Sequence, residues 1–294
     1  MAQPFFTETR CDFHLEGVEE SDHPPQSGTD KVRRVLGTGF AMASFMLIAL
    51  LLAIVVFPVI RILPGTDETK GRRIRRIICR SFAAFLRSCT ALGLIRPLRV
   101  IGLENVVQSK PCIIVANHPT LFDIVILGSL IRDFNCVVKN KLVSHLFLGG
   151  CVKAAEFVTN DRPQEIVRRC MDGFNRSQPL IIFPEGTRSP KDGLGAFTRG
   201  AAHLALRSEI PVISAILECD PPAFMKHQKW YSVPTRPIQF TVRFSKPFTC
   251  SPEVHSSSCL STQARKLTRQ MEDFFHEQLE EKWAQKTKPI GPRF

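Results

Sequence analysis

The sequence has no CxxC pair and no His/Cys cluster at zinc-ligand spacing, although ten cysteines are scattered from Cys11 to Cys259. A disulfide scaffold is small and cysteine-dense, and a chain of 294 residues is neither, so free thiols in a reducing compartment are expected. A GxSxG elbow is also missing, which removes the usual serine nucleophile of α/β hydrolases. No internal repeat occurs. The one long stretch without a charged side chain runs from Phe40 to Ile60, bracketed by Arg34 and Arg61. That stretch matches the roughly 20 helical residues that cross a bilayer core. It begins too far into the chain for a removable signal peptide and has no small-residue cleavage site.

What is present begins with charge. A formal net charge of +12 and a pI near 9.5 call for an anionic partner, either nucleic acid or a membrane surface. The arginines decide between them. They crowd next to the apolar stretch and do not interleave with aromatic residues, so nucleic acid is disfavoured and an anionic membrane surface preferred. After the break at Pro64-Gly65-Thr66-Asp67, a helix is expected from about residue 71 to 94. On a helical wheel Ile74, Ile77, Ile78, Phe82, Phe85, Cys89 and Leu92 gather on one side. Arg72, Arg73, Arg76, Arg80 and Arg87 gather opposite, with Arg75 at the border. Such a helix suits the headgroup region of a membrane, and it equally suits an ordinary surface helix packed on a domain.

Beyond Arg96-Pro97 the pattern changes to short β-branched runs alternating with helical ones. Strands are expected at 112–116, 135–138, 156–159, 179–183, 212–217 and 238–244. Helices are expected at 119–131, 141–148, 164–175, 198–207 and 262–283. This alternation implies an α/β fold, a mixed sheet flanked by helices, preceded by an N-terminal membrane helix and an amphipathic interfacial helix. The organisation follows: residues 1–34 a polar tail without fixed structure, 35–95 a membrane-anchoring helix pair, and 96–294 a second domain.

Two clusters of reactive side chains lie at expected strand ends, where open α/β sheets place ligands. The first is Asn117-His118-Pro119-Thr120-Leu121-Phe122-Asp123. Pro119 suits a first helical turn. On one continuous helix His118 and Asp123 would face apart, but a turn between them can fold the imidazole onto the carboxylate. Asp123 would then hold one ring nitrogen and leave the other free to accept a proton. Taken alone, a His and an Asp at this spacing also fit a structural role. The second cluster is Phe183-Pro184-Glu185-Gly186-Thr187-Arg188-Ser189, in which Gly186 permits a tight turn and Arg188 offers a planar fork for phosphate.

NHPTLFD resembles the HxxxxD box of the glycerolipid acyltransferase superfamily, and FPEGTRS is similar to that family's acceptor-binding motif. Lys139, Leu142, Gly149 and Asn160-Asp161-Arg162 resemble a looser motif ending in a phosphate-binding arginine, and Phe197-Thr198-Arg199-Gly200-Ala201 a further pattern. The last motif, Ile210-Pro211-Val212-Ile213-Ser214-Ala215, carries serine where the family commonly has a second proline. The likeness covers about residues 96–250. It implies His118 as general base oriented by Asp123, direct attack without an acyl-enzyme, and no metal or cofactor. It further implies that Glu185 and Gly186 lie near the acceptor's glycerol and Arg162 and Arg188 near its phosphate, with Thr187 and Lys139 also binding substrate. The donor would be acyl-CoA or an acyl carrier protein, and the acceptor a lysophospholipid, 1-acylglycerol-3-phosphate foremost. The alternative is a specialised enzyme beside a polyene or fatty acid synthase, taking its chain from an acyl carrier protein to an atypical lipid. A membrane scaffold with a decayed site is opposed by the presence of His118, Asp123, Glu185 and Arg188 together. More positive charge follows the apolar helix (Arg61, Lys70 to Arg80) than precedes it (Lys31, Arg33, Arg34), which puts the second domain on the cytoplasmic side.

Overall fold

The computed structural model describes residues 28–161, 163–191, 193–250 and 259–286. Its centre is a seven-stranded sheet in the order β1-β7-β6-β2-β5-β3-β4. The strands are β1 (Arg99–Ile101), β2 (Ile113–Ala116), β3 (Asn135–Val138), β4 (Val158–Thr159), β5 (Leu180–Ile182), β6 (Val212–Asp220) and β7 (Gln239–Phe244). All neighbours are parallel except β6 and β7. Parallel pairing needs both faces covered, which explains the continuous apolar runs at β2 and β5. Alternate side chains divide between two cores. Ile114, Ala116, Ile181 and Ile213 join residues of α1 (Gly28–Leu51), α3 (Asp67–Ala91), α5 (Asp123–Leu130) and α6 (Gly149–Ala155). Ile113, Val115, Ile182 and Val212 join residues of α7 (Pro163–Asn175), α8 (Gly200–Ser208) and α9 (Leu260–Lys286).

The mixed sheet flanked by helices stands as expected, and so does an apolar N-terminal helix. Asp30–Ile62 is the one helical run among the described residues that is long and apolar enough to cross a membrane. It consists of α1, a π-helical turn Leu52–Val56, and α2 (Phe57–Ile62). Its helix begins at Gly28, so the expected tail boundary at residue 34 falls inside it; residues 1–27 lie outside the described ones. Asp30 in the first turn pairs with Arg33, and Arg34 is buried, which makes this polar stretch helical. One face of the run is packed along the protein. Gly37 approaches Leu94, the Cys151 thiol reaches the Ala49 carbonyl, Ala53 abuts Gly150, and Arg61 pairs with Glu156 at 3.0 Å. Leu36, Phe40, Leu47, Leu51 and Ile54 point outward. The π turn winds more slowly than an α turn and resets the phase. Past it, Phe57 and Ile60 are still buried while Val59 and Ile62 are exposed.

Packing corrects one expectation. The apolar face of α3, including Ile74, Ile78, Leu86 and Cys89, goes into the protein core, packed mainly on α5. A wheel cannot tell a bilayer from a core as the sink for an apolar stripe, and here the core takes it. Arg76, Arg80 and Arg87 remain exposed, but Arg75 is only 2% exposed, and its Nε donates to Asp133 at 2.7 Å. Packing also runs across residue 96, since α1, α2 and α3 share one core with β2, β5 and β6. Three elements went unanticipated: β1, α4 (Leu103–Gln108) and α6. The strand expected at 156–159 starts only at Val158, since Glu156 caps α6 in the left-handed region (φ 62°).

Candidate active site

The site residues around His118, Lys139, Asn160 and Glu185 follow the C-terminal ends of the parallel strands β2, β3, β4 and β5, and the register brings those ends together. Ala116 of β2 stands opposite Ala215 of β6, and Val115 opposite Ile182 of β5. Just past β2, the buried Asn117 side chain takes over the strand's pairing. Its amide donates to the Leu217 carbonyl at 2.9 Å and accepts from the Leu217 N–H at 2.8 Å. The chain then turns through Pro119–Phe122, and α5 starts at Asp123. Asp123 closes the turn: its Oδ2 accepts from the Thr120 N–H at 2.7 Å, and the Thr120 hydroxyl accepts from the Phe122 N–H at 3.2 Å. The Thr120 hydroxyl donates to Asp123 Oδ1 at 2.5 Å.

This turn folds His118 back onto Asp123, with Nδ1 2.7 Å from Oδ2. Asp123 is 1% exposed, and burial pushes its carboxyl up. Hydrogen bonds from His118 and Thr120 oppose that push by favouring the carboxylate. With Nδ1 committed to the carboxylate, Nε2 is the nitrogen left to accept a proton. The imidazole stacks on Phe183, ring centroids 4.3 Å apart, which fixes its plane.

The loop after β5 holds this turn from the other side. Glu185 is buried, and its Oε1 accepts from the His118 N–H and the Ser189 hydroxyl, both at 2.8 Å. Its Oε2 accepts from the Gly195 N–H at 2.8 Å, and the Ser189 N–H donates to the His118 carbonyl at 2.7 Å. Glu185 lines neither neighbouring cavity. Held by three internal donors, the carboxylate braces the turn that carries His118. Gly186 makes the turn at φ 64°, where only glycine is free of strain.

Two cavities meet at the dyad. The first, about 350 Å³, is apolar and runs between α1, α3, α5 and α6, walled by Phe45, Met46, Ala49, Phe82, Val125 and Val152. The second, about 1020 Å³, lies over the ends of β3 and β5 beside α8. His118, Ile124, Val138, Leu142 and Arg188 line both. Among the described residues no Asp or Glu lines the second cavity, whereas Lys139, Lys141, Arg188 and Arg207 do. Gly186 and Thr187 are at its wall. Arg188 also donates to the carbonyls of Phe224 and Met225 at 3.0 and 3.2 Å. Arg162 lies outside the described residues; its neighbour Asn160 lines the cavity.

Sequence reasoning missed Lys141, His145, His203 and Arg207 in this cavity, and all of its α1 counterpart's wall. His203 and Arg207 stand four apart on one helix face, a readable spacing. Burial, then Arg207 and Arg199, push the His203 imidazole below its ordinary range. Thr120 was readable too, from T-x-x-D before an apolar run. Among the described residues no group of three or more His, Cys, Asp or Glu is placed to hold a metal. The buried thiols are unpaired, with Cys112, Cys136, Cys170 and Cys219 pushed up to about 12 by burial.

Residues 97–218 match the family described as Acyltransferase. The matched segment holds the His118–Asp123 pair, Lys139 and the Glu185–Arg188 loop, whereas α1, α3, β7 and α9 fall outside it. A 1-acyl-sn-glycerol-3-phosphate acyltransferase of Pseudomonas aeruginosa is 29% identical over 120 residues, covering 39% of this chain and 46% of that protein. One from Saccharomyces cerevisiae is 31% identical over 129 residues, covering 41% and 42%. The chain thus spans less than half the length of these curated relatives. The crystal structure of the 1-acyl-sn-glycerophosphate acyltransferase PlsC from Thermotoga maritima superposes with a TM-score of 0.62 at 19% identity. It covers 86% of this chain and 98% of that one, and establishes the shared fold beyond the matched segment.

Proposed function

We propose that the protein transfers an acyl chain from a thioester to the free hydroxyl of a lysophospholipid, with 1-acylglycerol-3-phosphate as the preferred acceptor. One observation carries this reading: His118 stands where an apolar cavity meets a basic cavity free of carboxylates. An amphiphile with a hydrocarbon chain and a phosphate needs both surroundings within reach of one base. The curated relatives are named for this acceptor.

In the proposed reaction His118 Nε2 takes the proton of the acceptor hydroxyl as its oxygen attacks the thioester carbonyl. Asp123 stabilises the resulting imidazolium. Collapse of the tetrahedral intermediate expels the thiolate, which takes the proton back from Nε2. A base so placed contributes about 10²–10⁴-fold. Alignment of the two substrates supplies much of the remainder. Lys139, Thr187, Gly186, Arg188 and Arg162 would hold the glycerol phosphate end, and Lys141, His203 and Arg207 extend the same field outward.

The membrane supplies the acceptor. The run Asp30–Ile62 is packed on the protein from Gly37 to Arg61. A bilayer-crossing pose would drag α6 into hydrocarbon with it. The run therefore lies along the membrane surface, with Leu36, Phe40, Leu47 and Leu51 inserted in one leaflet and α3's exposed arginines at the headgroups. The arginine excess from Arg72 to Arg80 favours the cytoplasmic leaflet.

The test is mass spectrometry of products from purified protein offered lysophospholipids of several headgroups, each with acyl-CoA and with acyl carrier protein donors. The expected product is a diacylglycerol phosphate. If no lysophospholipid is acylated while a hydroxylated lipid of another class is, and only from acyl carrier protein, the alternative reading replaces this one.

A further inference from the structure

The segment from Pro221 to Pro237, between β6 and β7, takes no part in the site chemistry, yet it is anchored at both ends. Arg236 closes its stem by donating to both oxygens of Asp220 at 3.1 Å. Its near side is fixed by Arg188 on the Phe224 and Met225 carbonyls, and by the Leu121 N–H on Phe224. Its tip is a turn, with the Ser232 N–H donating to the Lys229 carbonyl at 2.9 Å. That turn pushes Trp230 and Tyr231 outward, 49% and 47% exposed, their rings edge to face at 5.6 Å. Lys229 lies over the Tyr231 ring, 5.5 Å from its centroid.

Two large aromatic side chains held half out of the protein need a partner. Their position says which. The six-membered edge of the Trp230 indole rests on α1 at Gly39, where an added Cβ would stand 3.2 Å from it. Gly39 lies between Leu36 and Phe40, 68% and 67% exposed, at the start of the outward apolar stripe. Lys31 and Arg33 sit one to two turns away on the charged end of the same helix, both exposed. The chain holds two tryptophans and a single tyrosine, and one tryptophan and that tyrosine are adjacent in this turn. No Asp or Glu occurs between Asp220 and Glu253, while Lys226, His227 and Lys229 all lie close to the pair. Amphipathic rings flanked by lysines, continuous with an apolar stripe, have the composition of the headgroup layer's own anchors.

We infer that the Lys229–Ser232 turn is a membrane anchor separate from the N-terminal helix, seating Trp230 and Tyr231 in the headgroup region of an anionic bilayer. This rests on the surface-lying pose of α1 given above. The anchor places the bilayer beside the strand-end loops, because the segment that carries it is the one Arg188 holds. It thereby sets the depth at which an acceptor leaves the leaflet for the basic cavity.

The experiment uses full-length protein carrying Trp283→Phe, so that Trp230 is the sole tryptophan and can be excited selectively, mixed with vesicles of phosphatidylcholine and phosphatidylglycerol. On vesicle binding the emission should shift to shorter wavelength and lose its quenching by iodide. Lipids brominated near the carbonyl end of the chain should quench it more strongly than lipids brominated near the methyl end. A second arm compares the Trp230→Ser, Tyr231→Ser double variant with the parent. Its turnover with an acceptor dispersed in detergent should be unchanged, and its turnover with the acceptor in vesicles should fall several-fold. Iodide access and emission unchanged by vesicle binding would overturn the anchor, as would stronger quenching from the methyl end. The fluorescence arm needs no turnover, so failure here and failure of the proposed reaction are separately visible.

Discussion

The carboxylate of Glu185 accepts a hydrogen bond from the backbone N–H of His118 at 2.8 Å, so the loop after β5 holds the base that follows β2. The same carboxylate binds Ser189, whose own N–H returns to the His118 carbonyl. Removing it should let His118 drift while leaving the cavity walls in place. A 1 Å misplacement of a reacting group costs about 10²-fold. Glu185→Ala should lower kcat by about that factor with little change in KM for the lipid acceptor. Steady-state kinetics decide it; a raised acceptor KM at normal kcat would make Glu185 a substrate ligand after all.

The dyad itself makes a sharper demand. His118→Ala should abolish turnover without lowering the melting temperature, since the ring lies at a strand end. Asp123→Asn should cost about 10⁴-fold, because an amide selects the wrong tautomer and cannot stabilise the imidazolium. Thr120→Val removes the hydroxyl donor that favours the carboxylate, whose carboxyl burial already pushes up. The pair should then take up its proton at higher pH, so the acid limb of the pH–rate profile moves upward. A limb that moves down, or stays, would show that Thr120 does not tune the pair.

Lys139 lines the basic cavity and not the apolar one, and its side chain bonds no group among the described residues, so it is the cleaner probe of the acceptor's phosphate. Lys139→Ala should raise the KM for a phosphate-bearing acceptor more than that for the donor. Such a pattern marks binding shared by ground and transition states. Arg188→Ala should depress kcat as well, because its Nη1 also secures the Phe224 and Met225 carbonyls.

Deleting residues 1–62 separates anchoring from wall-building. Phe45, Met46, Ala49 and Leu52 wall the apolar cavity. The truncated protein should therefore be inactive even in detergent. Replacing the outward Leu36, Phe40, Leu47 and Leu51 with Gln should instead release the protein from vesicles while keeping turnover in detergent. Detergent activity retained by the truncation would mean that the helix is an anchor alone.

The strands and the dyad were legible because their signals are local. CIIVA and PLIIF are unbroken buried runs, and a proline between His118 and Asp123 implies the turn that joins them. What stayed hidden depends on partners far along the chain. Nothing near Arg75 announces Asp133, which makes a border arginine a buried one. The three donors that consume Glu185 come from residues 118, 189 and 195, so its inward turn is a tertiary fact. The helix α6 begins Gly149-Gly150, poor helix formers by propensity. Gly150 is there because a Cβ would stand 2.4 Å from that of Ala53.

The slow π turn at Leu52–Val56 acts as a vernier between two rigid rods. Adding one more residue there in plain α geometry would rotate everything downstream by about 100°. Phe57 and Ile60 would swing from the core to the outside, each forfeiting about 2 kcal/mol of burial. Arg61 would part from Glu156 in the same movement. The stripe can therefore exchange one apolar residue for another with little consequence, but its length is not negotiable.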